Sequence, residues 1–235
     1  KEFNVWVVKL FVENWSPAPL TVEKGKIAPY SWSISFKNGG NDNMGNVLIS
    51  VFDDAGLEIT PTSQNLDNII AGETKSTSFS VTAPFTLTTG PRAITFEIAY
   101  KDFMGRTPTE RMSASVNVAK LSTNITLSVE PSSVKKDGLC RIIAKLVDGN
   151  GNPMANQTIS FSVEGAQIGS VNTDSSGNAV KEYTANVDAG TYVISASFGG
   201  TAADYENSTK TTDLTVEPFE TTLTLEVPSA MLGEP

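Results

Sequence analysis

Apolar and polar residues alternate with period two along most of the chain. Trp32, Ile34 and Phe36 interleave with Ser31, Ser33 and Ser35. The same alternation runs through Val47, Ile49 and Val51, through Thr77, Phe79 and Val81, through Ile94, Phe96, Ile98 and Tyr100, and through Ala114, Val116 and Val118. Period two gives a strand one buried and one solvated face. Clusters such as Asn38-Gly39-Gly40-Asn41 and Met104-Gly105 punctuate these runs as turns. No long segment keeps a 3.6-residue apolar period, so the pattern predicts strands and no helix. Short strands separated by turn signals every ~8–12 residues predict a β-sandwich.

The series then begins again. Ile125, Leu127 and Val129 start it and Pro131 ends that strand. Cys140–Leu146 follow, then Ile159, Phe161 and Val163, then 168–173, a turn at Asp174-Ser175-Ser176-Gly177, and 178–185. Tyr192, Ile194, Ala196 and Phe198 share one face, and Leu214 with Val216 closes the set. The run Thr123-Asn124-Ile125-Thr126-Leu127-Ser128-Val129 is echoed by Thr221-Thr222-Leu223-Thr224-Leu225-Glu226-Val227, 98 residues later. The expected fold is therefore all-β, two tandem Ig-like antiparallel β-sandwich domains over 1–120 and 121–218. Residues 219–235 are expected to be the first strand of a truncated third repeat, paired with a sheet edge or a neighbouring molecule. The junctions 119–122 and 217–220 are short, which favours a stiff rod.

Asp188-Ala189-Gly190-Thr191-Tyr192 has the form of a tyrosine corner. Gly190 is expected to permit the sharp approach to the strand, and Tyr192 to be buried with its hydroxyl on backbone. The lone cysteine, Cys140, shares a face with Ile142, Ala144 and Leu146 and is read as core. One cysteine excludes an intrachain disulfide, so each domain must hold itself together by packing.

Charge narrows the function classes. The chain has 235 residues and a net charge of −9, with 6 basic and 11 acidic side chains in 121–218. No basic stripe is present to neutralise phosphates, so nucleic acid is not an expected partner. An anionic membrane surface is disfavoured for the same reason, and no apolar run is long enough to insert in a membrane as a helix.

Two family resemblances follow from local motifs. Lys145-Leu146-Val147-Asp148-Gly149-Asn150-Gly151-Asn152-Pro153, Gln157–Val163, Val171–Ala179, Ala189-Gly190-Thr191-Tyr192 and Phe198-Gly199-Gly200 resemble the bacterial Ig-like domains of invasin-type adhesins, across 121–218. Lys37-Asn38-Gly39-Gly40, Ile70–Lys75, Thr77–Val81, Gly90 and Glu97–Asp102 resemble the Ig-like domains of archaeal S-layer-like proteins and a related bacterial cell-adhesion domain, across 1–120. The inserts 41–46 and 60–68 depart from that second pattern. Both resemblances imply tandem arrays outside the cell, and neither supplies catalytic residues.

Candidate chemistry is sparse. There is no histidine, which removes Ser-His-Asp and Cys-His arrangements and the commonest zinc ligand. Asp53-Asp54 is the densest acidic pair, and its position before Ala55-Gly56 is that of a turn. Asp148, Asn150 and Asn152 open like a calcium loop, but the position for the closing bidentate acid of an EF-hand is Ile159, so a hairpin turn is the simpler account. Asp174, Ser176 and Asn178 are a weaker echo. Trp6 and Trp15 are candidates for sugar stacking, whereas Trp32 lies on an apolar face. Four sequons, at Asn14, Asn124, Asn156 and Asn207, are no more than chance supplies. The sequence thus reads as a non-enzymatic structural or adhesive module of a prokaryotic extracellular or cell-surface protein, S-layer-associated, with no cofactor. The expected partners are other Ig-like repeats of the same chain and a cell-surface protein or glycan. The competing reading is a carbohydrate- or protein-binding accessory segment of a large secreted hydrolase.

Overall fold

The computed structural model describes the backbone of residues 10–16 and the whole of residues 19–226. It is all-β, with no helix among the described residues. Two compact units are present. The first comprises the described part of Lys1–Asn124 with the segments Val147–Pro153 and Gly199–Ser208. The second comprises Ile125–Leu146, Met154–Phe198 and the described residues from Thr209 on.

The first sandwich contains β1 (Leu10–Ser16), β2 (Leu20–Glu23), β3 (Tyr30–Asn38), β4 (Met44–Asp53), β5 (Glu58–Thr60), β6 (Ser63–Ile69), β7 (Thr74–Thr82), β8 (Gly90–Lys101) and β9 (Thr109–Ala119). One sheet has the order β1-β3-β7-β5 and the other β2-β9-β8-β4-β6. The first edge of the sandwich is split. β1 pairs antiparallel with β3, and the chain then crosses so that β2 pairs parallel with β9, from Leu20 opposite Val116 to Glu23 opposite Ala119.

The second sandwich repeats that plan. Its strands are β10 (Thr123–Glu130), β11 (Ser133–Lys135), β12 (Leu139–Asp148), β13 (Thr158–Val163), β14 (Ala166–Asn172), β15 (Asn178–Thr184), β16 (Gly190–Phe198) and β17 (Ser208–Glu217). The sheets are β10-β12-β15 and β11-β17-β16-β13-β14, and β11 again pairs parallel with the last strand, Ser133 opposite Thr215. Two facing antiparallel sheets with a switched first strand define an Ig-like sandwich.

The alternation read from sequence is what fills the cores. Trp32, Ile34, Phe36, Phe79, Ile94, Phe96, Ile98, Val116 and Val118 are all buried in the first. Trp32 and Phe79 both pack on Phe96, with ring centroids 5.8 and 5.2 Å apart in tilted geometry. The second core gathers Ile142, Ala144, Leu146, Ile159, Phe161, Ile194, Ala196 and Leu214. Five strands were not visible as alternation: β1, β2, β5, β6 and β11. In β6 the cause is a break in the ladder. Asp67 adopts a φ of 55° and the register against β4 shifts beside it, so Leu66 and Ile69 are both buried although three residues apart.

The tail departs from expectation. Its described part, 219–226, forms no strand and no ladder, and Leu223 and Leu225 are 93% and 81% exposed. The expected pairing of this segment with a sheet edge is therefore wrong for this chain. Strand-like alternation is not enough when no apolar surface is offered to receive it. Val227 and the residues after it lie outside the described residues.

Candidate functional site

Each acidic candidate proves to be a backbone cap. Asp53 Oδ1 accepts from Ala55 N at 2.9 Å and Asp54 Oδ1 from Gly56 N at 2.8 Å. Ala55 and Gly56 both have positive φ, so the two carboxylates serve one tight turn and do not converge on a substrate. Asp148 Oδ1 accepts from Asn150 N and Asn152 N, both at 2.9 Å, while Oδ2 accepts from Asn152 Nδ2 at 3.1 Å. Asn150 points elsewhere: its Oδ1 accepts from Ile27 N and its Nδ2 donates to Gly25 O, within the first unit. The three calcium candidates, Asp148, Asn150 and Asn152, thus spend their polar atoms on protein groups. Asp174 Oδ1 repeats the motif, accepting from Ser176 N at 2.8 Å and Asn178 N at 2.9 Å, and the Asn178 bond leads in holding its carboxyl below the usual range. Among the described residues no group of three or more His, Cys, Asp or Glu side chains is placed to share a metal.

Cys140 is buried, its Sγ 3.6 Å from Tyr183 O, and burial pushes its thiol up, away from the thiolate a nucleophile requires. Tyr192 donates its hydroxyl to Asp188 O at 2.8 Å, four residues back, which is the corner geometry. The ring is half-buried, not buried as the motif implies, and lies over Gly190 at the start of β16. Gly190 does not have a left-handed φ, and a Cβ there would meet the Tyr192 ring at an ordinary 3.6 Å. No steric need for glycine exists at that position. Trp32 is fully buried. Trp6 lies outside the described residues, and Trp15 is placed by its backbone alone, opposite Ile34. The sequon residues Asn124, Asn156 and Asn207 are exposed.

The tertiary structure adds features no motif announced. Lys24 is buried to 4% exposure in the first unit, 2.7 Å from Asp204 Oδ1 and above the Phe85 ring at 4.9 Å. Phe85 in turn packs on Tyr205 at 5.5 Å. These partners are 180 residues apart in sequence. On the outer face of the five-stranded sheet, the Arg111 guanidinium lies 3.4 Å over the exposed Phe52 ring and donates to Glu97 Oε2 through both Nε and Nη2. Asn38, fully buried, joins two connections, 39–43 and 70–73, at one end of the first sandwich. Its Nδ2 donates to Asp42 O and Ile69 O, its Oδ1 accepts from Gly40 N, and its backbone bonds Glu73 O and Gly72 N.

No protein-family model matches the chain, and no curated protein matches it in sequence. Solved structures overlap it loosely. The fibronectin(III)-like modules of Clostridium thermocellum CbhA cover 93% of this chain and 100% of theirs, at 17% identity and a TM-score of 0.33. The D0-D1 domain of intimin covers 87% and 99%, at 12% identity and 0.32. The Yersinia pseudotuberculosis adhesin InvE covers 89% and 60%, at 12% identity and 0.32. At these values the fold assignment rests on strand order and pairing, not on the overlap.

Proposed function

We propose that this chain is a non-catalytic, tension-bearing structural or adhesive segment of a prokaryotic extracellular or cell-surface protein. The observation that carries the reading is the parallel pairing of an early strand with the last strand in both sandwiches, β2 with β9 and β11 with β17. Pulling on the two ends of a sandwich draws β2 and β9 in opposite directions along their shared axis. Load is then spread over the ladder bonds together, whereas an antiparallel hairpin pulled from its open end breaks them one at a time. Lys24 N donating to Ala119 O at 2.9 Å extends the first ladder beyond Glu23. The carboxylates offer no convergent pair, which fits a mechanical role. The resemblances to invasin-type and S-layer-like Ig domains support a surface location, S-layer association, and partners that are neighbouring repeats or a surface protein or glycan.

The division 1–120 and 121–218, followed by a third repeat from 219, belongs to the same proposal. Leu223 aligns with Ile125, which is buried at 2% exposure in β10, yet Leu223 is 93% exposed. Such a side chain is suited to a core that a further sandwich would supply.

Single-molecule extension through the two ends tests the reading. Val22→Pro removes the backbone N–H that faces β9, two residues before Lys24 in the same ladder, and is expected to lower the unfolding force of the first sandwich well below that of the unaltered chain. An unfolding force unaffected by this change, at unchanged chemical stability, would overturn it. A second reading, a binding accessory to a secreted hydrolase, draws on the Phe52–Arg111 stack. It requires glycan or protein binding that Phe52→Ala abolishes.

A further inference from the structure

Asparagine followed by glycine is the pair at which a peptide chain cyclises on itself most readily, because glycine has no side chain to crowd the attacking nitrogen. The chain has two such pairs, Asn38-Gly39 and Asn150-Gly151. They sit in different surroundings. Asn38 is fully buried and holds three side-chain hydrogen bonds. Asn150 is half-buried, and Gly151 is exposed, with a φ of 87° and open space where a Cβ would stand. Packing therefore does not shield the second pair; hydrogen bonds do. Gly151 N donates to Asp148 O at 2.9 Å, Asn150 Nδ2 to Gly25 O at 2.8 Å, and Ile27 N to Asn150 Oδ1 at 3.0 Å. Lys26 Nζ donates to Gly149 O beside them. All of these groups belong to the first unit, which includes Val147–Pro153.

We propose that Asn150 is a modification site: a latch that deamidates once it opens and whose product cannot close again. In the reaction Gly151 N attacks Asn150 Cγ. The N–Cγ bond forms, the Cγ–Nδ2 bond breaks, and the amide nitrogen leaves as ammonia with the proton from Gly151 N. Water then opens the succinimide at either carbonyl and leaves an aspartate or an isoaspartate at position 150. In the closed latch the attacking N–H is held on Asp148 O and the side-chain amide is pinned at both atoms, so three bonds must part before attack. Each is worth roughly a factor of five in the opening equilibrium, which makes conversion on the order of 100-fold slower than in an unfolded chain. The product carries an oxygen where Nδ2 stood. It has no hydrogen to donate to Gly25 O and sets an anion against that carbonyl, so the tie is lost. Gly25 directly follows Lys24, whose N–H extends the β2–β9 ladder. On the mechanical reading above, the tie lies at the end of the load-bearing ladder, and conversion records that the molecule has been opened. The site itself does not depend on that reading and is tested without force.

Mass spectrometry reads the conversion as the replacement of an amide by an acid, and the tryptic peptides 38–75 and 146–181 separate the two Asn-Gly pairs. In the folded chain, held in mildly alkaline buffer, Asn150 is expected to convert on the order of 100-fold more slowly than in denaturing urea, and Asn38 more slowly still. Lys26→Ala, which frees Gly149 O, is expected to raise the Asn150 rate several-fold while the urea midpoint of tryptophan emission shifts no more than for a surface change. Asn150→Asp, the product made directly, is expected to lower that midpoint by about 0.5 M. Conversion of Asn150 in the folded chain at its urea rate would overturn the latch. So would a rate that Lys26→Ala leaves unchanged, a midpoint that Asn150→Asp leaves unchanged, or conversion of Asn38 in step with Asn150 in the folded chain.

Discussion

Replacing Asn38 by alanine should selectively unfold the first sandwich. The side chain has zero exposure and makes three hydrogen bonds, to Asp42 O at 2.8 Å, to Ile69 O at 3.0 Å and from Gly40 N at 3.0 Å. Truncation leaves the buried Ile69 carbonyl without its donor, which costs about 1–3 kcal/mol. The partly exposed Asp42 and Gly40 groups recover water and add less. The expected loss is about 2–4 kcal/mol. With a urea slope of about 2 kcal/mol/M, the midpoint should fall by about 1–2 M with no change in slope. Tryptophan fluorescence isolates this unit, because Trp6, Trp15 and Trp32 all lie within residues 1–120. Asn38→Asp is the sharper control. It keeps the shape but sets a carboxylate against two carbonyls, so it should be at least as damaging at neutral pH. The burial that raises such a carboxyl implies partial recovery as the pH falls and the group regains a donor proton. A loss below about 0.5 kcal/mol in Asn38→Ala, the range of ordinary surface changes, would refute the idea that this residue organises the loops.

Tyr192→Phe should cost the second unit about 0.5–1 kcal/mol, the worth of one partly solvated hydrogen bond, read as a shift in the tryptophan-silent transition by circular dichroism; no shift would mean the corner bond to Asp188 contributes nothing. Burial first, then the Glu110 carboxylate, pushes the Tyr100 phenol up from 10.0 to about 12. Below pH 10 both folded and unfolded chains hold that proton. Between pH 10 and about 12 only the folded chain keeps it, so stability of the first unit should fall with rising pH, and Tyr100→Phe should flatten that fall. An alkaline profile identical in the variant would contradict this. Calcium chelation should leave the melting temperature unchanged, since a bound ion would stabilise by mass action and the Asp148 carboxylate is already engaged. A drop with chelator that Asp148→Ala abolishes would restore a calcium site there.

The candidate sites were legible in part. Asp53, Asp54, Asp148 and Asp174 each precede Gly or Asn within a few residues, and that local spacing was enough to read them as turns. Nothing local marks Lys24, whose buried charge is made tolerable by Asp204 and Phe85, or Asn38, which in sequence is one more polar residue before a Gly-Gly turn. Their roles depend on partners brought together by chain folding.

The sequence by itself determined the long strands, the two cores and the class of the fold. Period-two alternation in 32–36, 94–100, 140–146 and 192–198 can be satisfied only by burying one face of a sheet, so the burial of Trp32, Phe96, Ile142 and Ile194 followed from spacing alone. It did not determine which strands lie side by side. β2 and β11 are four and three residues long and carry too few positions to show a period, and β6 hides its period behind a register shift at Asp67. The parallel pairing of β2 with β9 joins residues about 96 positions apart, and backbone hydrogen bonds of that kind are nearly indifferent to side-chain identity. The tail makes the same point from the other side. Leu223 and Leu225 have the alternation of a strand, yet they stay in water, because a strand exists only where a neighbour completes its ladder and a core receives its apolar face.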